Sequence, residues 1–99
     1  VPRRQKEPAD CLGRPDATLR DCLDRPKPSA TKVVEASRQA AEEQGAQYVD
    51  SWPWFCAAGR CPAVVGPYIT MRDQGHVTTA YAERLARPLG RALKVWSPR

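Results

Sequence analysis

Large apolar side chains are scarce in this sequence. Phenylalanine and methionine occur once each, aromatic residues make up 7% of the 99 positions, and alanine supplies much of the 41% counted as hydrophobic. A single domain of this size buries a modest core, so cross-links are expected to help it fold. No apolar run approaches the roughly 18 residues that span a bilayer. No signal-peptide pattern opens the chain, so Val1 reads as the start of mature or excised sequence, with any export signal upstream. Histidine also occurs once, and tight C-x2-C knuckles are missing, which together argue against a structural zinc site. No metal and no cofactor is expected. The net charge of +5 is spread from Arg3 to Arg99 instead of forming a stripe, and Trp52, Trp54 and Phe55 have no basic residue between them. A single-strand binding surface interleaves the two, so nucleic acid is not expected as a partner. Repeats and low-complexity tracts are lacking as well.

Four cysteines are present, Cys11, Cys22, Cys56 and Cys61. An even count in a short chain suits an oxidising compartment. Joining Cys11 to Cys22 and Cys56 to Cys61 closes two short loops, each contributing about 2–3 kcal/mol on the chain-entropy account, and is the favoured pairing. Free thiols in a reducing compartment are the second reading. Zinc comes third, because the spacings C-x10-C and C-x4-C fit it poorly.

Residues 1–29 contain Pro2, Pro8, Pro15, Pro26 and Pro28, which break any long element. A proline-rich cysteine loop with one helical turn near Ala17–Leu23 is expected there. Residues 30–45 read as a helix with Val33, Val34, Ser37, Ala40 and Ala41 on one face, Ser29 as cap and Gly45 as stop. A strand over Ala46–Asp50 follows, and helix, glycine, strand is the repeating unit of an α/β layer. Residues 51–76 hold an irregular aromatic stretch, a small cystine loop, a brief extended segment near Val64–Met71 and a turn at Asp73–Gly75. Residues 77–95 read as a closing helix striped by Tyr81, Leu85, Leu89 and Leu93, which Pro88 is expected to kink or divide.

Asp73 and His76 form the chemically suggestive pair. An imidazole is a general base near neutral pH, and a carboxylate on its other nitrogen fixes tautomer and direction. Across a turn containing Gly75 the two side chains can converge. A D-x-x-H spacing beside a helix start is also what an ordinary cap or surface turn presents.

The ordered set V-D-S, C-A-A-G-R-C-P-A-V-V-G-P-Y and R-D-Q-G-H-V-T-T-A-Y-A-E-R-L, within Tyr48–Leu93, resembles the C-terminal end of the SGNH hydrolase domain fused to bacterial membrane acyltransferases that modify cell-surface polysaccharides. Val77 stands where that family usually has leucine, and residues 1–45 resemble the preceding segment more loosely. The resemblance implies the C-terminal portion of a flavodoxin-like three-layer α/β fold with a disulfide-stapled N-terminal loop. It further implies His76 as general base and Asp73 as its orienting partner in a Ser-His-Asp triad of an extracytoplasmic O-acyltransferase or esterase, tethered to a membrane protein.

The family's G-D-S nucleophile block and its oxyanion-hole blocks do not occur here, and Ser29, Ser37, Ser51 and Ser97 lack that setting. The expectation is therefore the C-terminal fragment of one domain over 1–99, inactive alone. Its expected partner is the N-terminal half of the same domain or a membrane acyltransferase domain, and its substrates a polysaccharide or acyl donor. The alternative is a non-catalytic, disulfide-stapled basic module that binds a wall polymer or protein through Trp52, Trp54 and Phe55.

Overall fold

The computed structural model describes residues 1–94. In order, the elements are α1 (Pro8–Leu12), α2 (Pro28–Glu43), a 3-10 turn (Trp52–Trp54), β1 (Val64–Val65), β2 (Tyr68–Ile69), α3 (Thr79–Arg84) and α4 (Ala86–Ala92).

Two prolines start helices instead of breaking them. Pro8 and Pro28 open α1 and α2 at the one helical position where a missing N–H costs nothing. The N-terminal helix therefore lies at Pro8–Leu12 and not at Ala17–Leu23. Residues 17–23 form turns in which Cys22 N–H donates to Leu19 O at 3.2 Å and Leu23 N–H to Arg20 O at 3.2 Å. Ser29 likewise sits inside the first turn of α2 and does not cap it. Gly45 stops α2 as expected, with φ +68. Gly45 N–H donates to Glu42 O and Ala46 N–H to Ala41 O, at 3.2 and 2.8 Å, the paired bonds of a Schellman end.

The strand expected over Ala46–Asp50 is not formed. The amides of Gln47, Tyr48, Val49 and Asp50 donate to no group among the described residues. A strand exists only through its neighbour's ladder, and no neighbouring strand is present here. The single sheet among the described residues is an antiparallel hairpin, Val64 opposite Ile69 and Val65 opposite Tyr68. Gly66 takes φ +57 at the first central turn position, and Pro67 after it leaves the II′ form of hairpin turn. The chain thus mixes helix and strand, but the described residues build no three-layer arrangement.

The core forms where the cystine loop, the hairpin and α3 meet. Phe55, Cys56, Cys61, Met71 and Tyr81 are buried together, with Trp52, Trp54, Tyr68, Val77 and Leu85 packed against them. Tyr81 meets Phe55 edge-on at 5.4 Å between ring centres, and its hydroxyl donates to Trp54 O. Burial raises the Tyr81 pKa, with Arg84 opposing. Phe55, at 4% exposed, is thus core and not a binding surface, and the two tryptophans are half-buried beside it.

The disulfides join Cys11 to Cys22 and Cys56 to Cys61. The closing helix divides at Leu85, which puts Pro88 in the first turn of α4, where an N–H has no intrahelical acceptor. α3 starts at Thr79, slightly later than the expected boundary at residue 77, and the expected end at residue 95 lies outside the described residues. α2 has little to pack against. Only Ala30 is buried, and Val33 is 63% exposed.

Candidate functional site

β2 runs through Thr70 into a loop that returns at Thr78. Thr70 is buried, and its hydroxyl and amide both donate to Ala63 O. Met71 bridges Val77, Arg72 N–H donates to His76 O at 2.7 Å, and Thr78 N–H to Thr70 O at 3.0 Å. The loop is thus a small ladder with Asp73–Gly75 at its tip. Its base is tied to the helix by Thr78, whose hydroxyl donates to Ile69 O at 2.5 Å and accepts from Tyr81 N–H at 3.2 Å as the α3 cap.

At the tip, Asp73 Oδ1 accepts from the amides of Gly75 and His76, both at 2.8 Å. Both carboxylate oxygens lie 2.9 Å from His76 Nδ1. The cap-like turn and the chemical pair, alternatives on sequence grounds, are the same structure, because the backbone donors aim the carboxylate at the ring. These contacts hold the Asp73 pKa below its ordinary value, the Gly75 N–H contributing most and the His76 ring next. The His76 side chain is 69% exposed and that of Asp73 37%. Nε2 of His76 bonds to nothing among the described residues.

Among the described residues no serine hydroxyl hydrogen-bonds to that nitrogen. Ser29, Ser37 and Ser51 line a cavity of about 560 Å³ between α2 and residues 48–52, which Gly75 also borders, and none hydrogen-bonds to His76. Ser97 lies outside the described residues. Among the described residues no cluster of three or more His, Cys, Asp or Glu could hold a metal ion. The four cysteines are consumed by disulfides.

Support for the loop comes from a segment that sequence reading passed over. Arg4 N–H donates to Gln74 O at 2.8 Å, and Gln74 Nε2 donates to Gln5 O at 3.0 Å. Nothing local marks these residues, since R-R-Q-K reads as a solvated charge run. Their contacts with the loop span about seventy positions.

Residues 1–91 match the family described as the SGNH domain (fused to AT3 domains). The chain belongs to that family, and is an SGNH-type module of the kind associated with acyltransferases. The match includes the first 45 residues, which on sequence grounds resembled the family only loosely. No match was found among curated proteins or among solved structures.

Proposed function

We propose that the chain carries the Asp/His half of the Ser-His-Asp site of an extracytoplasmic SGNH-type O-acyltransferase or esterase acting on cell-surface polysaccharide. The serine comes from residues outside this sequence. The observation that carries the reading is His76 Nδ1 held 2.9 Å from both Asp73 oxygens while the other ring nitrogen faces out. With its proton on Nδ1, the neutral ring offers Nε2 as a base. It takes the proton from the serine hydroxyl as that oxygen attacks an acyl carbonyl, and Asp73 stabilises the imidazolium formed. The ring then returns the proton to the departing alcohol, leaving an acyl-enzyme. A sugar hydroxyl or water, deprotonated in the same way, completes transfer or hydrolysis.

Two features support an incomplete domain whose other half covers this one. The apolar face of α2 is open, Val33 above all, and the amides of residues 47–50 find no acceptor among the described residues. The N-terminal half of the same domain would fill both, with the acyltransferase domain of the family's fusion as the other candidate partner. The flavodoxin-like three-layer sheet belongs to that completed state. Two disulfides suit an oxidising, extracytoplasmic setting, and no helix among the described residues is long and apolar enough to cross a membrane. The binding-module alternative relied on Trp52, Trp54 and Phe55; Phe55 is buried in the core and the two tryptophans pack against it half-buried, which leaves that reading less surface.

The test is hydrolysis of a chromogenic acyl ester by the completed domain, with and without His76→Ala. The substitution is expected to lower turnover by about 10² to 10⁴, and the 99-residue chain alone should show no rate above background. Undiminished turnover in the variant would remove His76 from the reaction.

A further inference from the structure

Arg4 is the most deeply buried charged residue described, 2% exposed. Its guanidinium forks onto two carbonyls, Nη1 donating to Cys61 O at 2.8 Å and Nη2 to Cys22 O at 3.1 Å. One side chain therefore links the loops closed by the two separate disulfides. Asp24 balances the charge, its Oδ2 lying 3.7 Å from Arg4 Nε, and Nε itself has no hydrogen-bond partner among the described residues. Asp24 is fixed in turn, accepting from the amides of Lys6 and Arg25 and bridging Cys61 through its own backbone.

Burying such a pair is poor value as stability alone, because desolvation offsets most of the attraction. What a rigid fork does supply is a defined position. Arg4 anchors the arm of residues 3–5 on one side, while Lys27 N–H to Arg3 O at 2.7 Å and Gln5 N–H to Arg25 O at 3.3 Å pair its backbone with residues 25–27, and that arm touches the site loop in three ways. Its amide donates to Gln74 O, Gln5 O accepts from the Gln74 side chain, and the Arg3 side chain lies along Gly75, close enough that an added Cβ there would stand 3.2 Å from Arg3 Nε. Gln74 and Gly75 are the two residues between Asp73 and His76.

We propose that Arg4 is a positioning residue for the Asp73–His76 pair, holding the arm against the loop so that the carboxylate keeps the ring in its working tautomer and direction. The role in turnover rests on the reading of His76 as the base, whereas the geometric role can be measured without it. His76 is the chain's one histidine, so ¹⁵N-labelled imidazole gives one assignable set of resonances in the 99-residue chain. In the parent chain the neutral ring should carry its proton on Nδ1.

Arg4→Met should move the ring to a mixture dominated by the Nε2–H tautomer. Amide exchange at Gly75 and His76 should rise about tenfold, the factor that one hydrogen bond's net contribution carries. Arg4→Lys keeps a charge beside Asp24 but cannot fork onto both carbonyls, and should fall between. Should Arg4→Met fail to fold, Arg4→Lys and Gln74→Ala decide. The latter cuts only the exposed strap to Gln5 and should shift both readouts in the same direction by less. Protection of the Tyr81 amide reports that α3 and the core remain formed. Folded variants that keep the Nδ1 proton and the parent exchange rates at Gly75 and His76 overturn the proposal, and mark Arg4 as a stability residue only. A tautomer that responds to Arg4 in a protein whose turnover survives His76→Ala upholds the positioning and sinks the catalytic reading instead.

Discussion

One oxygen of Asp73 accepts from the Gly75 and His76 amides, so the carboxylate is oriented by the backbone before the ring reaches it. Asp73→Asn preserves an acceptor for those donors and should leave the loop folded. Its amide nitrogen competes for the place facing Nδ1, so the ring loses its enforced tautomer. The expected outcome in the completed domain is a turnover lowered by about 10² to 10⁴ with an unchanged amide fingerprint outside residues 72–77, read by ester hydrolysis and heteronuclear NMR. A second residue-scale case is Tyr81, whose hydroxyl serves the Trp54 carbonyl at the edge of the core. Tyr81→Phe leaves that acceptor without its donor and should cost about 1–3 kcal/mol, measured by urea unfolding of the oxidised chain.

Among the elements, the loop of residues 70–78 is joined to α3 by the Thr78 hydroxyl at its base. Thr78→Ala removes the α3 cap and the bond to Ile69 together. It should destabilise by about 1 kcal/mol or somewhat more, with amide exchange rising first in Thr79–Arg84. The same loop has an acid limit. The Asp73 pKa is lowered in the folded state, as is that of Asp21 through the Thr18 amide. The stabilisation from each is therefore complete above the ordinary carboxylate value of about 3.9 and is lost as pH falls through the lowered native value. An acid titration followed at the Gly75 and Thr18 amides should show both turns opening below that range and none of this opening at neutral pH. These elements differ in how far sequence revealed them. α2 and its stop were legible from period and glycine. The starts of α1 and α2 were misplaced because proline was read as a breaker where it sits at N1. The D-x-x-H pair was legible as chemistry. Its brace was not, since the contacts from Arg4 to Cys61 and Gln74 join residues far apart in sequence, and no local pattern encodes such a meeting.

As a whole, the molecule is open. Its radius of gyration is 14.8 Å, with extents of 48 × 37 × 21 Å, against roughly 13 Å expected for a compact domain of this length. The strand expected at 46–50 does not form, because a strand needs a neighbour's ladder and none of the described residues supplies one. On the proposed reading of an incomplete domain, adding the N-terminal half should slow amide exchange across Gln47–Asp50 and along α2, a change that hydrogen-exchange mass spectrometry would read directly. Exchange that stays as in the isolated chain would rule out that docking face. Reduction of the disulfides should cost about 2–3 kcal/mol for each bridge lost, read as a lower urea midpoint in dithiothreitol. The amides of residues 47–50 have no acceptor among the described residues. Bare backbone beside the exposed Val33 is a template on which any passing chain can crystallise into a ladder. In isolation this polypeptide should self-associate through that segment as its concentration rises, which light scattering against concentration would read.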